Sequence, residues 1–137
     1  PVVGLITGTV GCFGGMSIAA GLCSYLVVTK EARLGLNGPQ VIEQEAGITE
    51  YDSKDKPFIW SMTGGEIRYE TGFADELAVD DVDAVRTAIA KCFAQGSPES
   101  FRTDRVGFYL PRLAGFDASQ QVFPEITKAL FSQGDRK

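Results

Sequence analysis

Five residues, Gly11-Cys12-Phe13-Gly14-Gly15, constrain the fold of this chain more than any others. They lie between an apolar run at residues 1–6 and an amphipathic stretch at residues 16–26, so the chain must pass from a buried strand through a glycine turn into a helix. The N–H groups at such a helix start have no intrahelical partner, and an anionic oxygen can be received there. Glycine suits this because it lets the backbone approach a ligand and tolerates positive φ. Two readings stand on the local sequence: a tight turn that serves packing only, or a turn that aims two amides at a developing oxyanion. A dinucleotide fingerprint fails because Gly8, Gly11 and Gly14 do not give the G-x-G-x-x-G spacing, and no G-x-x-x-x-G-K sequence makes a phosphate loop.

The rest of the pattern predicts an α/β fold. Residues 2–7 read as a strand, residues 15–22 as a helix and residues 25–29 as a second strand; residues 32–36 read as a further short strand ending at Asn37-Gly38. Pro39 then opens a helix through Val41, Ile42 and Glu45 that Gly47 closes. Residues 48–57 are a polar loop. Helical pieces at 58–62 and 66–69 flank Gly64-Gly65, and residues 77–79 form a short strand. Asp80 or Asp81 caps a helix whose Val82, Val85, Ile89 and Cys92 follow the 3.6-residue period until Gln95-Gly96 stops it. Two further helices are expected near residues 101–110 and 124–133.

Composition removes several chemistries. There is no histidine, which excludes a Ser-His-Asp triad, a Cys-His pair and His-ligated metal within these 137 residues. Cys12, Cys23 and Cys92 are widely spaced and odd in number, which fits reduced thiols and a cytoplasmic protein. The longest apolar stretch, residues 16–28, is interrupted by Ser17, Gly21 and Ser24 and is shorter than the roughly 20 residues of a membrane span. Residues 1–96 hold 7 basic and 13 acidic side chains against 6 and 5 in residues 97–137, a balance that makes duplex nucleic acid a poor partner. The first residue is Pro1, placed directly on a β-like run, so an incomplete polypeptide is expected.

Residues 11–19 read G-C-F-G-G-M-S-I-A, and residues 36–44 read L-N-G-P-Q-V-I-E-Q. This pair of blocks resembles the carboxyltransferase branch of the crotonase superfamily, and together with residues 69–77, Y-E-T-G-F-A-D-E-L, it looks most like the malonate decarboxylase β subunits of that branch. The resemblance runs over residues 1–93 and weakens after Gly96. It implies a crotonase-like β/β/α spiral, present as a partial domain: residues 1–96 would be the C-terminal half and residues 97–137 a helical extension. By the family pattern Gly14 and Gly15 supply amides to a thioester oxygen, and Cys12, Phe13, Met16, Asn37, Gly38, Pro39 and Gln40 line the acyl pocket.

The activity this implies is decarboxylation of a malonyl thioester on an acyl carrier protein to an acetyl thioester, with the enolate held by the oxyanion hole. No metal or cofactor is expected on the chain itself; a coenzyme-A-like prosthetic group on the acyl carrier subunit would carry the substrate, and a homologous γ subunit would complete the site. One alternative is a carboxyltransferase subunit of a biotin-dependent acyl-CoA carboxylase or decarboxylase. Another is a non-catalytic assembly module.

Three other groups carry a functional and a bland reading. Cys12 adjoins the turn but has no histidine to activate it, which favours packing. Glu43 and Glu45 are acids on a helix expected to be half exposed, so a solvated face competes with a general base. Arg102, Arg105 and Arg112 fall near one helical face, where they would meet phosphates or simply water.

Overall fold

A computed structural model describes residues 1–131. Three parallel strands, β1 (Val3–Ile6), β2 (Tyr25–Thr29) and β3 (Glu76–Ala78), form one sheet in the order β1-β2-β3. Val3 pairs with Tyr25 and Ile6 with Val28 on one side; Val27 pairs with Glu76 and Thr29 with Ala78 on the other. All five residues of β2 are buried, which is why its sequence is a near-continuous apolar run and not an alternation. Its side chains still alternate between faces. Leu26 and Val28 join Ile6, Ala32 and Ala74 in one core cluster, while Tyr25 and Val27 join Ala78, Ala88 and Cys92 in the other.

Helix α1 (Gly15–Gly21) joins β1 to β2, and α2 (Pro39–Ala46), α3 (Lys56–Thr63) and α4 (Gly65–Glu70) lie between β2 and β3. After β3, α5 (Val82–Ala94) covers the second cluster with Val85, Ala88, Ile89 and Cys92, the stripe the sequence predicts. Its cap is Asp81, whose carboxylate accepts the Ala84 N–H at 3.1 Å. Helix α3 starts two residues before its expected position because Asp55 caps it, accepting the Phe58 N–H at 3.2 Å, and Pro57 sits comfortably in its first turn.

Two expectations need correction. Residues 32–36 are not a strand of the sheet. Arg33 and Leu34 make only single bridges, Arg33 to Gly64 and Leu34 to Cys12, because the segment threads between a loop and a helix junction and not beside another strand. The helix expected at 101–110 is broken: a 3-10 turn at Arg102–Asp104 precedes α6 (Val106–Leu113). There the Asp104 carboxylate turns back to accept the Phe101 N–H at 2.9 Å. The last helix, α7, runs Pro124–Phe131; Ser132 and Gln133 of its expected span lie outside the described residues.

Arg102 fastens this C-terminal arm to the sheet. Its guanidinium pairs with Asp75 at 2.6 Å and donates to the Phe73 carbonyl at 3.1 Å and the Cys23 carbonyl at 2.8 Å. The side chain is 12% exposed, so neither a solvated face nor a phosphate contact describes it. Phe73 is stacked on Tyr109 of α6 and tilted against Phe131 of α7. At the opposite edge, β1 and α1 present apolar side chains to solvent: Leu5, Met16, Ile18 and Leu22 are all exposed. Among the described residues no helix is long and apolar enough to cross a membrane.

Candidate functional site

The glycine turn is built by its neighbour in space, the segment at residues 33–36. Cys12 N–H donates to the Arg33 carbonyl at 2.8 Å, Gly35 N–H to the Cys12 carbonyl at 3.1 Å and Gly14 N–H to the Leu36 carbonyl at 2.8 Å. The Arg33 guanidinium adds bonds to the Thr9 and Val10 carbonyls at 2.8 and 2.6 Å and lies over the Trp60 ring at 4.6 Å and the Phe13 ring at 5.4 Å. Bonds from a charged donor are among the stronger ones, so the turn is splinted and not left to wander. Gly14 closes it at φ 64, ψ −141, a conformation that side chains with a Cβ rarely adopt. Its carbonyl caps α1 from outside, accepting the Ser17 N–H at 3.0 Å and the Ser17 hydroxyl at 2.6 Å.

This geometry changes which amides are open. Gly14 was expected to offer its N–H to an oxyanion, but that N–H is committed to Leu36. The open donors are those of Gly15 and Met16, the first two residues of α1, which have no hydrogen-bond partner among the described residues. Both residues are exposed. Gly15 also has free space where a Cβ would stand, so packing does not require glycine there.

The other expected residues divide. Phe13 is half-buried and wedged against Gly35, whose hypothetical Cβ would lie 3.2 Å from its ring. Cys12 packs on the first core cluster, and burial pushes its thiol pKa up, the wrong direction for a nucleophile. The Leu36 bond sets exposed Asn37 next in chain to the turn. Gly38 is the backbone cap of α2, with its carbonyl accepting Val41 and Ile42 N–H, and Pro39 and exposed Gln40 form the first turn of that helix. No hydrogen bond joins Asn37, Pro39 or Gln40 to the glycine turn among the described residues.

A cavity of about 220 Å³ opens between α1 and the splint; Ser17, Gly35, Leu36, Arg68, Phe73 and Arg102 are among its walls, and no residue of the glycine turn is. Among the described residues no group of three or more His, Cys, Asp or Glu side chains converges to hold a metal ion. Glu43 is occupied in structure: its carboxylate accepts the Ser53 N–H at 3.0 Å and hydroxyl at 3.1 Å. Arg105 and Arg112 turn to their own chain segment, to Ser100 and to the Phe108 carbonyl, so the three arginines do not share a face.

Sequence reasoning missed Arg33, Arg68 and the function of Gly64-Gly65. A Cβ on Gly65 would run into the Thr29 carbonyl oxygen, and the Gly65 N–H donates to the Ala32 carbonyl at 2.8 Å. The glycine pair was visible as a breaker; its closeness to β2 was not.

No family model matches the chain. A wider structural likeness sets the class. Transcarboxylase 12S, solved with hydrolysed methylmalonyl-coenzyme A bound, superposes with a TM-score of 0.50 at 30% identity over 65% of this chain and 16% of that one. The fold is therefore one shared with carboxyltransferases. The particular likeness is to malonate decarboxylase: a chain of the Pseudomonas hetero-tetramer solved in complex with malonate matches with a TM-score of 0.90 and 60% identity, over 96% of this chain and 48% of that one. The malonyl-S-ACP:biotin-protein carboxyltransferase of Malonomonas rubra is 36% identical over 107 residues, which are 78% of this chain and 34% of that protein. The chain is a homologue of these malonate decarboxylase and carboxyltransferase chains, and it spans between about a third and a half of their length.

Proposed function

We propose that this chain forms part of the acyl-thioester site of a malonyl-thioester decarboxylase. In the reaction the bond between the α-carbon and the carboxylate breaks and CO2 leaves. The electron pair passes into the thioester carbonyl as an enolate, and the α-carbon then takes one proton to give the acetyl thioester. The Gly15 and Met16 N–H groups stabilise the enolate oxygen, a charge absent from the ground state, so their bonds lower the barrier and not merely the substrate's free energy. Met16 takes the place first expected of Gly14. One observation carries the reading: the two open amides begin the helix whose Ser17 and Gly21 wall a cavity, in a chain 60% identical, over 96% of its length, to part of a malonate decarboxylase.

By the same reading the fold is one half of a crotonase-like spiral with residues 97–137 as a helical extension. The malonyl group arrives on the coenzyme-A-like arm of an acyl carrier protein in the cytoplasm, and a homologous γ subunit completes the pocket. Gly15→Leu in the assembled complex tests this, because it crowds the amides while no atom of the described residues lies within 4 Å of the new Cβ. Malonyl-thioester turnover is expected to fall roughly a hundredfold, the scale of one lost oxyanion donor. Undiminished turnover sinks the reading.

A second reading is favoured by the Malonomonas rubra relative, which is a carboxyltransferase to a biotin protein. There the carboxyl group passes to biotin and the same enolate is formed. Turnover that requires a biotinyl carrier and is blocked by avidin selects it; avidin-insensitive release of CO2 selects decarboxylation.

A further inference from the structure

Arg68 projects from α4 to the junction of two cavities. With Phe73 it lines both the 220 Å³ cavity between α1 and the splint and a larger one of about 450 Å³, whose walls include Ile42, Met62, Leu113 and Phe116. Its Nε donates to the Leu34 carbonyl at 2.8 Å, within the splint. Its two terminal nitrogens have no hydrogen-bond partner, and no carboxylate pairs with them, among the described residues. Arg102 nearby shows the contrast, since all three of its nitrogens are used. Arg68 as a residue is half-buried, and burial of its guanidinium is the main influence on it, pulling its pKa down, while Tyr51 acts in the other direction. An arginine keeps its charge at neutral pH all the same.

Tyr51 lines the larger cavity too. It is 7% exposed, and its hydroxyl has no hydrogen-bond partner among the described residues. Its ring packs edge-on against Phe58, with the centroids 5.2 Å apart. A buried polar atom without a partner is unfavourable, and the Arg68 guanidinium, 5.8 Å from the Phe73 ring centroid, keeps its two terminal nitrogens available to an anion. Both residues line the same cavity, where one ligand group can serve the two. A carboxylate has two oxygens for a guanidinium fork and a spare lone pair for a phenol.

We infer that Arg68 and Tyr51 form a carboxylate subsite, and, resting on the function proposed above, that it takes the free carboxylate of the malonyl group. That carboxylate leaves as CO2, so the contact is made by the malonyl thioester and is absent from the acetyl product. Arg68 is then a specificity residue that separates malonyl from acetyl thioesters; it holds the departing group while the Gly15 and Met16 amides hold the developing charge. A carrier phosphate is another source of an oxyanion for the same guanidinium, but it is present on substrate and product alike.

The test is steady-state kinetics of the assembled complex carrying Arg68→Gln, Arg68→Lys or Tyr51→Phe, with acetyl thioester as product inhibitor. Arg68→Gln is expected to raise the KM for malonyl thioester roughly ten- to a hundredfold, the range for a lost charged hydrogen bond, while kcat is kept and acetyl inhibition is unchanged. Arg68→Lys restores part of the loss, and Tyr51→Phe raises KM roughly threefold, as a weaker neutral donor should. An unchanged KM overturns the subsite, and so does a parallel loss of malonyl and acetyl affinity, which assigns the guanidinium to the carrier phosphate. If the Arg68 variants do not assemble, Tyr51→Phe decides by the same ratio, since it deletes one oxygen and leaves the ring in place. If the wild-type complex has no malonyl-thioester turnover, the proposed function fails by itself. Calorimetric titration with malonate then decides the subsite: weaker binding to the Tyr51→Phe complex than to the wild type supports it, and equal binding overturns it.

Discussion

Gly14-Gly15 and Gly64-Gly65 are the same two letters in the same place, a cap and first residue of a helix, yet they face opposite constraints. At the second pair there is no room: a Cβ on Gly64 would strike the Trp60 carbonyl oxygen and one on Gly65 the Thr29 carbonyl oxygen. The first-turn amide there is already spent on Ala32. At the first pair nothing among the described residues stands within 4 Å of either hypothetical Cβ, and the first-turn amides of Gly15 and Met16 meet no partner there. One pair is glycine so that a helix can lie against a strand. The other is glycine at Gly14 so that the chain can turn, and at Gly15 it leaves open space before the two amides that the proposed function assigns to a ligand. What separates the two pairs is whether the first-turn N–H groups meet a carbonyl among the described residues.

Substitutions can break this comparison. Gly65→Ala carries the largest expected effect, about 3 kcal/mol or more of lost stability, because the new methyl overlaps backbone that cannot rotate away. Chemical denaturation of the complex checks it, and a near-wild-type midpoint would mean that the junction is looser than described. Gly14→Ala should lose about 1–3 kcal/mol through the strained backbone it imposes, with turnover falling as the turn reshapes. Gly15→Ala should change stability by no more than about 0.5 kcal/mol, the level of an unconstrained surface position, and retain turnover since the N–H remains. Cys12→Ala, with the smallest expected effect on activity, should leave kcat within about twofold, because burial holds the thiol protonated and a nucleophile there would cost orders of magnitude on removal. A collapse of activity would return Cys12 to the chemistry.

Strand β2 and helix α5 were legible because their signals are local: an unbroken apolar run for one, and for the other a 3.6-residue stripe starting after Asp81 and ending at Gln95-Gly96. The segment at residues 32–36 misled for the same reason. It has β-like composition, but whether it joins a sheet depends on what lies beside it, and there it meets Cys12 and Gly64 instead of a strand. The glycine turn was readable as a place but not as a set of donors. That Gly14 gives its N–H to Leu36 is a fact of tertiary structure, and it shifts the open pair by one residue. Arg102 and Arg68 show the same limit from both sides. One has a carboxylate 27 residues away in sequence and the other pairs with none among the described residues, a difference that spacing cannot reveal.

The most direct test of the open-amide account is Gly15→Pro. Proline is well tolerated at the first helical position, and it deletes the N–H while adding little bulk to a site with free space. The kcat for malonyl-thioester decarboxylation is measured in the assembled complex, beside Gly15→Ala and with melting temperature as the control. The account predicts a roughly hundred- to thousandfold fall in kcat for the proline variant alone, at nearly unchanged melting temperature. Wild-type turnover by an intact Gly15→Pro complex would contradict it.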